Sequence, residues 1–277
     1  SGALAPIETR ACVIADGGVR FRVREALSLR RKDAEGAARE RGAAPGNPFL
    51  PFEPELFVAD VSATHVVLLN KFSVIEGHLL IVTRAYERQE RWLTRDDFAA
   101  LTACLAQFES LGFYNGGAVA GASQLHKHLQ LVPLPLASPG PAIPTASLIE
   151  ASLPADAGVA QVEGFSIVAA AARLKRAAFA DPDAAAGLVA ERFAAAAALA
   201  GVGPVAAADG PRQSAPYNLL VTRDWLLVVP RSREHAGGVS INALGYAGSL
   251  FVRDGAELAR LRAMGPMRAL AAVGVPR

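Results

Sequence analysis

Cysteine is scarce: Cys12 and Cys104 are the only two among 277 residues. Two thiols so far apart in sequence build neither a disulfide framework nor a zinc ribbon, so a reducing, cytoplasmic setting is expected. An excess of one charge is also missing. Lys and Arg number 28 against 26 Asp and Glu, a net charge of +2. That gives no argument for a nucleic-acid or membrane surface, but it leaves room for a small anion held by a few local cations. No apolar run is long enough to span a bilayer, and no basic start with an apolar stretch marks a signal peptide. The alanine tract 194–198 is a helix preference. Neither a Walker lysine motif nor a dinucleotide glycine fingerprint occurs. Histidine is rare too, with five residues in the chain.

What is present is ordinary for a globular chain: 52% hydrophobic and 19% charged residues, enough for one large domain or two small ones. Residues 28–55 mix charge, Gly and Pro and read as a basic-faced helix followed by a loop. HVVLLNKF (65–72) and GHLLIVTR (77–84) read as a β-hairpin. Thr94 to Leu111 reads as a helix, capped by Thr94 with Asp97 three residues on, its Phe98, Leu101, Leu105 and Phe108 at helical spacing, and stopped by Gly112. Residues 114–117 then form a loop, a strand runs from about His126 to Leu134, and the Pro-rich segment 133–144 leads out of this half. In the second half a helix starts at Asp181-Pro182 and stops at Gly201. Strands YNLLVT (217–222) and WLLVVP (225–230) follow, and a last helical region begins at Asp254. The expectation is an α+β fold of two related halves, 1–165 and 166–277, with mostly antiparallel sheets and flanking helices.

Two of the five histidines fall in GASQLHKHLQLVP (121–133). Alternate side chains on a strand share a face, so His126, His128 and Gln130 form one polar row while Lys127, Leu129 and Leu131 point away. Three readings follow. The row is a pair of core histidines satisfied by carbonyls; or two ligands of a metal, for which His65, His78 and His235 supply no ligand-like spacing; or a nucleophile for phosphorus. In the third, a neutral imidazole attacks, a carbonyl fixes its tautomer, and Gly121, Ala122, Ser123 and Gln124 offer donors to phosphate oxygens.

HKHLQ with its GASQ lead-in resembles the active-site motif of the histidine-triad superfamily, in the transferase branch that carries Gln where the hydrolases have a third His. NPFLPFEPELFVADVSATHVVLLNKFSVIEGHLLIVTR, YNGGAVAGASQLHKHLQ and APYNLLVTRDWLLVVPRS resemble the diadenosine tetraphosphate phosphorylase (ATP adenylyltransferase) family. Leu125 departs from it, standing where related transferases often carry Pro. The resemblance implies a fold like that of galactose-1-phosphate uridylyltransferase and an adenylyl-histidine on His128. His126 would orient that ring, and Gln130 would hold a phosphoryl oxygen and disfavour hydrolysis. Ser123 and Gln124 would meet bridging phosphate oxygens. Asn70, Lys71 and Asn115 would contact ribose and phosphate, with Lys32 a further phosphate ligand if it is not on a solvated helix face. Tyr217 and Asn218 match a family motif, Tyr217 having a core strand position as its other reading, and Arg223 and Arg231 would bind phosphate through their planar forks.

The implied reaction is phosphorolysis of diadenosine tetraphosphate to ATP and ADP. The same histidine would serve an adenosine phosphosulfate or a nucleoside diphosphate sugar, and a protein that binds nucleotide without turnover is the rival of another class. The expected partners are nucleotides and inorganic phosphate, not nucleic acid or membrane, with monomer and homodimer both open. No built-in cofactor or metal site is expected; a magnesium ion would travel with the polyphosphate. Trp92, Cys104, His65 and His78 read as structural.

Overall fold

The computed structural model describes residues 4–5, 7, 9–26, 47–156 and 158–277. The basic segment that contains Lys32, with the helix expected there and the phosphate role expected of Lys32, lies outside the described residues.

Alternating residues at the N-terminus pair as a hairpin, β1 (Thr9–Asp16) with β2 (Val19–Ala26), turned by Gly17 and Gly18 at positive φ. The next strands are β3 (Phe57–Asp60), β4 (His65–Leu69) and β5 (Leu79–Thr83), and β4 and β5 pair antiparallel as the expected hairpin. Helix α1 (Arg95–Leu105) has the expected reciprocal cap: Thr94 Oγ1 accepts from the Asp97 N–H, and the Asp97 carboxylate accepts from the Thr94 N–H.

The helix stops six residues before the expected end at Leu111, and the loop expected at 114–117 belongs mostly to β6 (Ser110–Gly116), whose residues are all buried. The reason is alternation. Leu111 and Phe113 enter one hydrophobic cluster and Tyr114 the cluster on the other face. Gly112 does not cap a helix; a Cβ there would stand 2.7 Å from Leu101 Cδ1, so the glycine lets α1 lie close on the sheet.

After a 3-10 turn at Ala118–Ala120 comes β7 (His128–Pro133); His126, two residues upstream, pairs only through an isolated bridge to Arg88. Short helix α2 (Ala146–Glu150) and strands β8 (Val159–Gln161) and β9 (Ala170–Arg173) lead to α3 (Pro182–Leu199), capped by Asp181 with Pro182 in its first turn. A two-residue ladder, β10 (Pro204–Val205) with β11 (Arg212–Gln213), precedes β12 (Tyr217–Val221) and β13 (Trp225–Pro230). A second small ladder, β14 (His235–Ala236) with β15 (Val239–Ser240), is followed by α4 (Ala243–Tyr246), β16 (Ser249–Val252), α5 (Gly255–Met264, capped by Asp254) and α6 (Pro266–Val273).

Nine strands form one sheet in the order β3-β4-β5-β7-β6-β12-β13-β9-β8, antiparallel at every step. Ladders between β6 and β12, between β8 and β9 and, in a second sheet, between β2 and β16 join strands of the two expected halves. One face is covered by α1 and the alanine-rich α3, whose small side chains allow close packing on Leu101, Phe98 and Leu219. The other face carries two separate coverings. Around Phe113, Leu220 and Leu227 it packs against β2, β16, α4 and α6 through Phe21, Leu250, Tyr246 and Leu270. Around Val66, Leu68, Leu80 and Val82 it meets Phe49, Leu50 and Phe52. β16 pairs parallel to β2, so the C-terminal part completes a sheet begun at the N-terminus. Among the described residues no helix is long and apolar enough to cross a membrane.

Candidate active site

The polar row lies between those two coverings. Register sets it: Val82 pairs with His128, Leu80 with Gln130, and Gln130 with Phe113 across β7. His128 and Gln130 therefore interrupt an otherwise apolar face, and both are buried. A polar group kept at such a place must be fully partnered or used.

The partners assign the protons. His128 Nδ1 is 2.8 Å from the backbone carbonyl of His126. A carbonyl only accepts, so Nδ1 carries the hydrogen and the lone pair of the neutral ring sits on Nε2. His126 is fixed likewise, its Nε2–H donating to the Thr83 carbonyl at 2.8 Å. Its Nδ1 is buried without a partner among the described residues. Burial lowers the His126 pKa and so favours the neutral ring, prevailing over the Thr83 carbonyl and Glu87, which act to raise it. Phe49 packs against both rings, with centroids 5.8 Å from His126 and 5.2 Å from His128, and Tyr86 covers His126 at 5.2 Å.

The strand that carries His128 is clamped by a residue that sequence reasoning missed. Gln89, fully buried, accepts from the His128 N–H at 3.0 Å and donates to the carbonyls of His128 (3.2 Å) and Asn115 (2.9 Å). It substitutes for ladder bonds where the pairing of β6 with β7 ends at Phe113 and Gln130. Its loop position gave no periodic signal, and all three bonds reach residues distant in sequence.

Lys127 points to the opposite face. Its ammonium, 1% exposed, lies 2.6 Å from Asp97 and 3.2 Å from Glu87, while His65 Nε2 lies 3.1 Å from the other oxygen of Asp97. Burial alone would raise the Asp97 pKa, but the hydrogen bond from His65, the charge and hydrogen bond of Lys127 and the Thr94 N–H prevail and hold it at about 2. His65 thus has the structural role expected of it.

Other expected residues fall into two groups. Asn70, His78 and Gln130 form a hydrogen-bonded line, so His78, read as merely structural, belongs to the row. Its position at 78, in phase with Leu80 and Val82, was the available signal, but only the register to β7 reveals it. Continuing that register sets Asn115 beside His128. The Asn115 carbonyl oxygen Oδ1 is held by Asn218 Nδ2 and the Ala243 N–H, both at 2.9 Å, and its amide nitrogen has no partner among the described residues. Ser123 and Gln124, immediately before the row, make no hydrogen bond among the described residues. Lys71 is on the surface, 2.6 Å from Glu53.

The second group lies apart from the row or is used within the fold. Tyr217 is fully buried on the opposite face, packed against Trp92, Tyr114 and Phe193, because strand parity turns it away from its neighbour Asn218. Asn218 and Arg231 are buried in a structural network: Asn218 donates to Asn115 and the Ala120 carbonyl, and Arg231 donates to Asn218 and to the carbonyls of Val273, Arg233 and Glu234. With their groups turned inward they hold the 117–121 turn. Arg223 lies at the far end of β12, in an ion-pair cluster with Glu109 and Arg176. The N–H groups of Gly121 and Ala122 are also used internally, on Ala118 and Gly117 carbonyls at 2.9 and 3.1 Å, where Gly121 turns the chain at φ +88°. Among the described residues no cluster of three His, Cys, Asp or Glu could hold a metal ion.

The arrangement sets two imidazoles of fixed tautomer beside the side-chain amides of Gln130 and Asn115. Residues 1–151 match the Ap4A phosphorylase N-terminal domain family, and residues 165–276 the ATP adenylyltransferase C-terminal domain family. This chain belongs to the Ap4A phosphorylase family. A member from Saccharomyces cerevisiae, diadenosine 5',5'''-P1,P4-tetraphosphate phosphorylase 2, is 28% identical over 253 residues, 78% of this chain and 71% of that protein. The crystal structure of yeast Ap4A phosphorylase superposes with a TM-score of 0.76 at 26% identity, covering 99% of this chain and 90% of that one. The yeast enzyme in complex with Ap4A has the same fold, with a TM-score of 0.75 at 24% identity.

Proposed function

We propose that this protein phosphorolyses diadenosine tetraphosphate to ATP and ADP through an adenylyl group carried on His128 Nε2. The observation that carries the mechanism is the bond from His128 Nδ1–H to the His126 carbonyl, 2.8 Å long, which commits the lone pair to the other nitrogen. Membership of the Ap4A phosphorylase family and the substrate named for the yeast relatives support the choice of dinucleotide.

Nε2 forms a bond to the α-phosphorus of one adenylyl group as the bond from that phosphorus to the ATP oxygen breaks. An oxygen of inorganic phosphate then attacks the same phosphorus, and the N–P bond breaks to give ADP. Two displacements by way of a neutral nucleophile replace one in which two anions would have to meet. Gln130, Asn115, Ser123 and Gln124 supply donors to oxygens where charge accumulates. The amide of Gln130 cannot carry a proton to water or a leaving group, which favours transfer to phosphate. A magnesium ion is expected to accompany the polyphosphate, and the reaction to take place in the cytoplasm.

Incubation with diadenosine tetraphosphate labelled in the adenylyl phosphate, without inorganic phosphate, should leave label on the protein, and His128→Ala should abolish it. Turnover of His128→Ala at the wild-type rate would remove this histidine from the mechanism. Faster cleavage of adenosine phosphosulfate than of the dinucleotide would keep the mechanism and replace the substrate.

A further inference from the structure

Gln130 can help a phosphoryl oxygen only through its nitrogen. Its amide has two nearly isosteric orientations, and the reversed one would set a carbonyl oxygen against an anion. We propose that Asn70 and His78 are positioning residues that lock Gln130 in the donor orientation, through a relay of hydrogen bonds that starts at a backbone N–H.

Each direction follows from the one before. The Phe72 N–H can only donate, and it bonds Asn70 Oδ1 at 3.2 Å. That leaves Asn70 Nδ2 facing His78 Nδ1, also at 3.2 Å. An amide nitrogen only donates, so His78 Nδ1 is the acceptor and the ring proton sits on Nε2. Nε2 lies 3.0 Å from Gln130 Oε1, which must therefore accept. The Gln130 NH2 group is thereby turned away from His78, and it has no partner among the described residues. The ring of His78 is held by Phe113, with centroids 5.7 Å apart, and the Asn70 backbone N–H bonds the His78 carbonyl at 2.9 Å. Main-chain geometry at the end of β4 thus sets the polarity of a side chain two strands away.

The kinetic consequence rests on the adenylyl-transfer reading; the tautomer does not. Two measurements separate them. In phosphorolysis assays of His78→Ala, Gln130→Ala and the double variant, His78→Ala should lower kcat by roughly 10- to 100-fold, the worth of one hydrogen bond to a charged group, with little change in KM. The double variant should then be no slower than Gln130→Ala alone, because His78 acts only through Gln130. Losses that multiply would overturn the relay, since a purely structural role predicts them. Independently, long-range nitrogen–proton NMR of the full-length wild-type protein at neutral pH should show His78 protonated on Nε2 and bare on Nδ1. The opposite tautomer, or a doubly protonated ring, would overturn the proposal even if every variant folded poorly. If the wild type transfers no adenylyl group to phosphate, the activity reading fails and the tautomer alone decides the relay.

Discussion

Replacing Asp97 by Asn tests whether the buried charges beneath β7 support the strand that carries His128. Lys127, between His126 and His128, would lose the charge of its 2.6 Å partner, the single amide oxygen could accept from Lys127 or from His65 but not from both, and the Glu87 contact at 3.2 Å would remain. Removing one member of a fully buried pair typically costs about 3–5 kcal/mol, because the other charge is left desolvated. Linkage gives a consistent lower figure. Displacement of the Asp97 pKa from 3.8 to about 2 corresponds to about 2–3 kcal/mol of stability. A folded-state pKa held below the unfolded one means this contribution is complete above pH 4 and disappears as pH falls through about 2. Urea unfolding at pH 7 should therefore show Asp97→Asn destabilised by about 3–5 kcal/mol, and a series from pH 5 to pH 2 should show it lacking part of the wild-type acid slope. Replacing both charges by apolar residues, as in Asp97→Leu with Lys127→Met, should recover most of the loss. A single variant losing less than about 1 kcal/mol, or showing an unchanged acid slope, would refute the reasoning.

Two further outcomes follow from the site. Gln130→His would supply a ring able to move protons, so without phosphate the adenylyl group should pass to water and AMP should accumulate by chromatography; no rise in AMP over wild type would contradict the part given to the neutral amide. Tyr217→Phe removes a buried hydroxyl that has no partner among the described residues, so thermal unfolding should show an unchanged or higher Tm while KM for the dinucleotide stays the same; a raised KM would place Tyr217 in the binding site.

What could be read from the sequence was whatever depends on local spacing. The HKHLQ alternation placed the row, caps at Thr94, Asp181 and Asp254 placed three helix starts, and β-branched runs placed β4, β5, β12 and β13. Strand β6 was hidden because Gly112, Asn115 and Gly116 are turn-formers, whereas here the glycine at 112 answers a helix packed on it. The polar supports were hidden for a different reason. Gln89 and His78 act on residues 39 and 52 positions away, and only the strand register brings these together. The burial of Tyr217 on the opposite face and of Arg231 among backbone carbonyls was hidden too, because a motif names residues without giving their surroundings.

The shared ladder between β6 and β12 makes the chain hard to divide. Cutting it in the connection that follows α2 would strip Gly112 through Gly116 on one piece, and Tyr217 through Val221 on the other, of their backbone partners. Each fragment would then present a bare, apolar seam, prone to self-association when made alone and complementary to the other when the two are made together. Evolutionary units that can be told apart by sequence would behave, in the test tube, as two parts of one inseparable body.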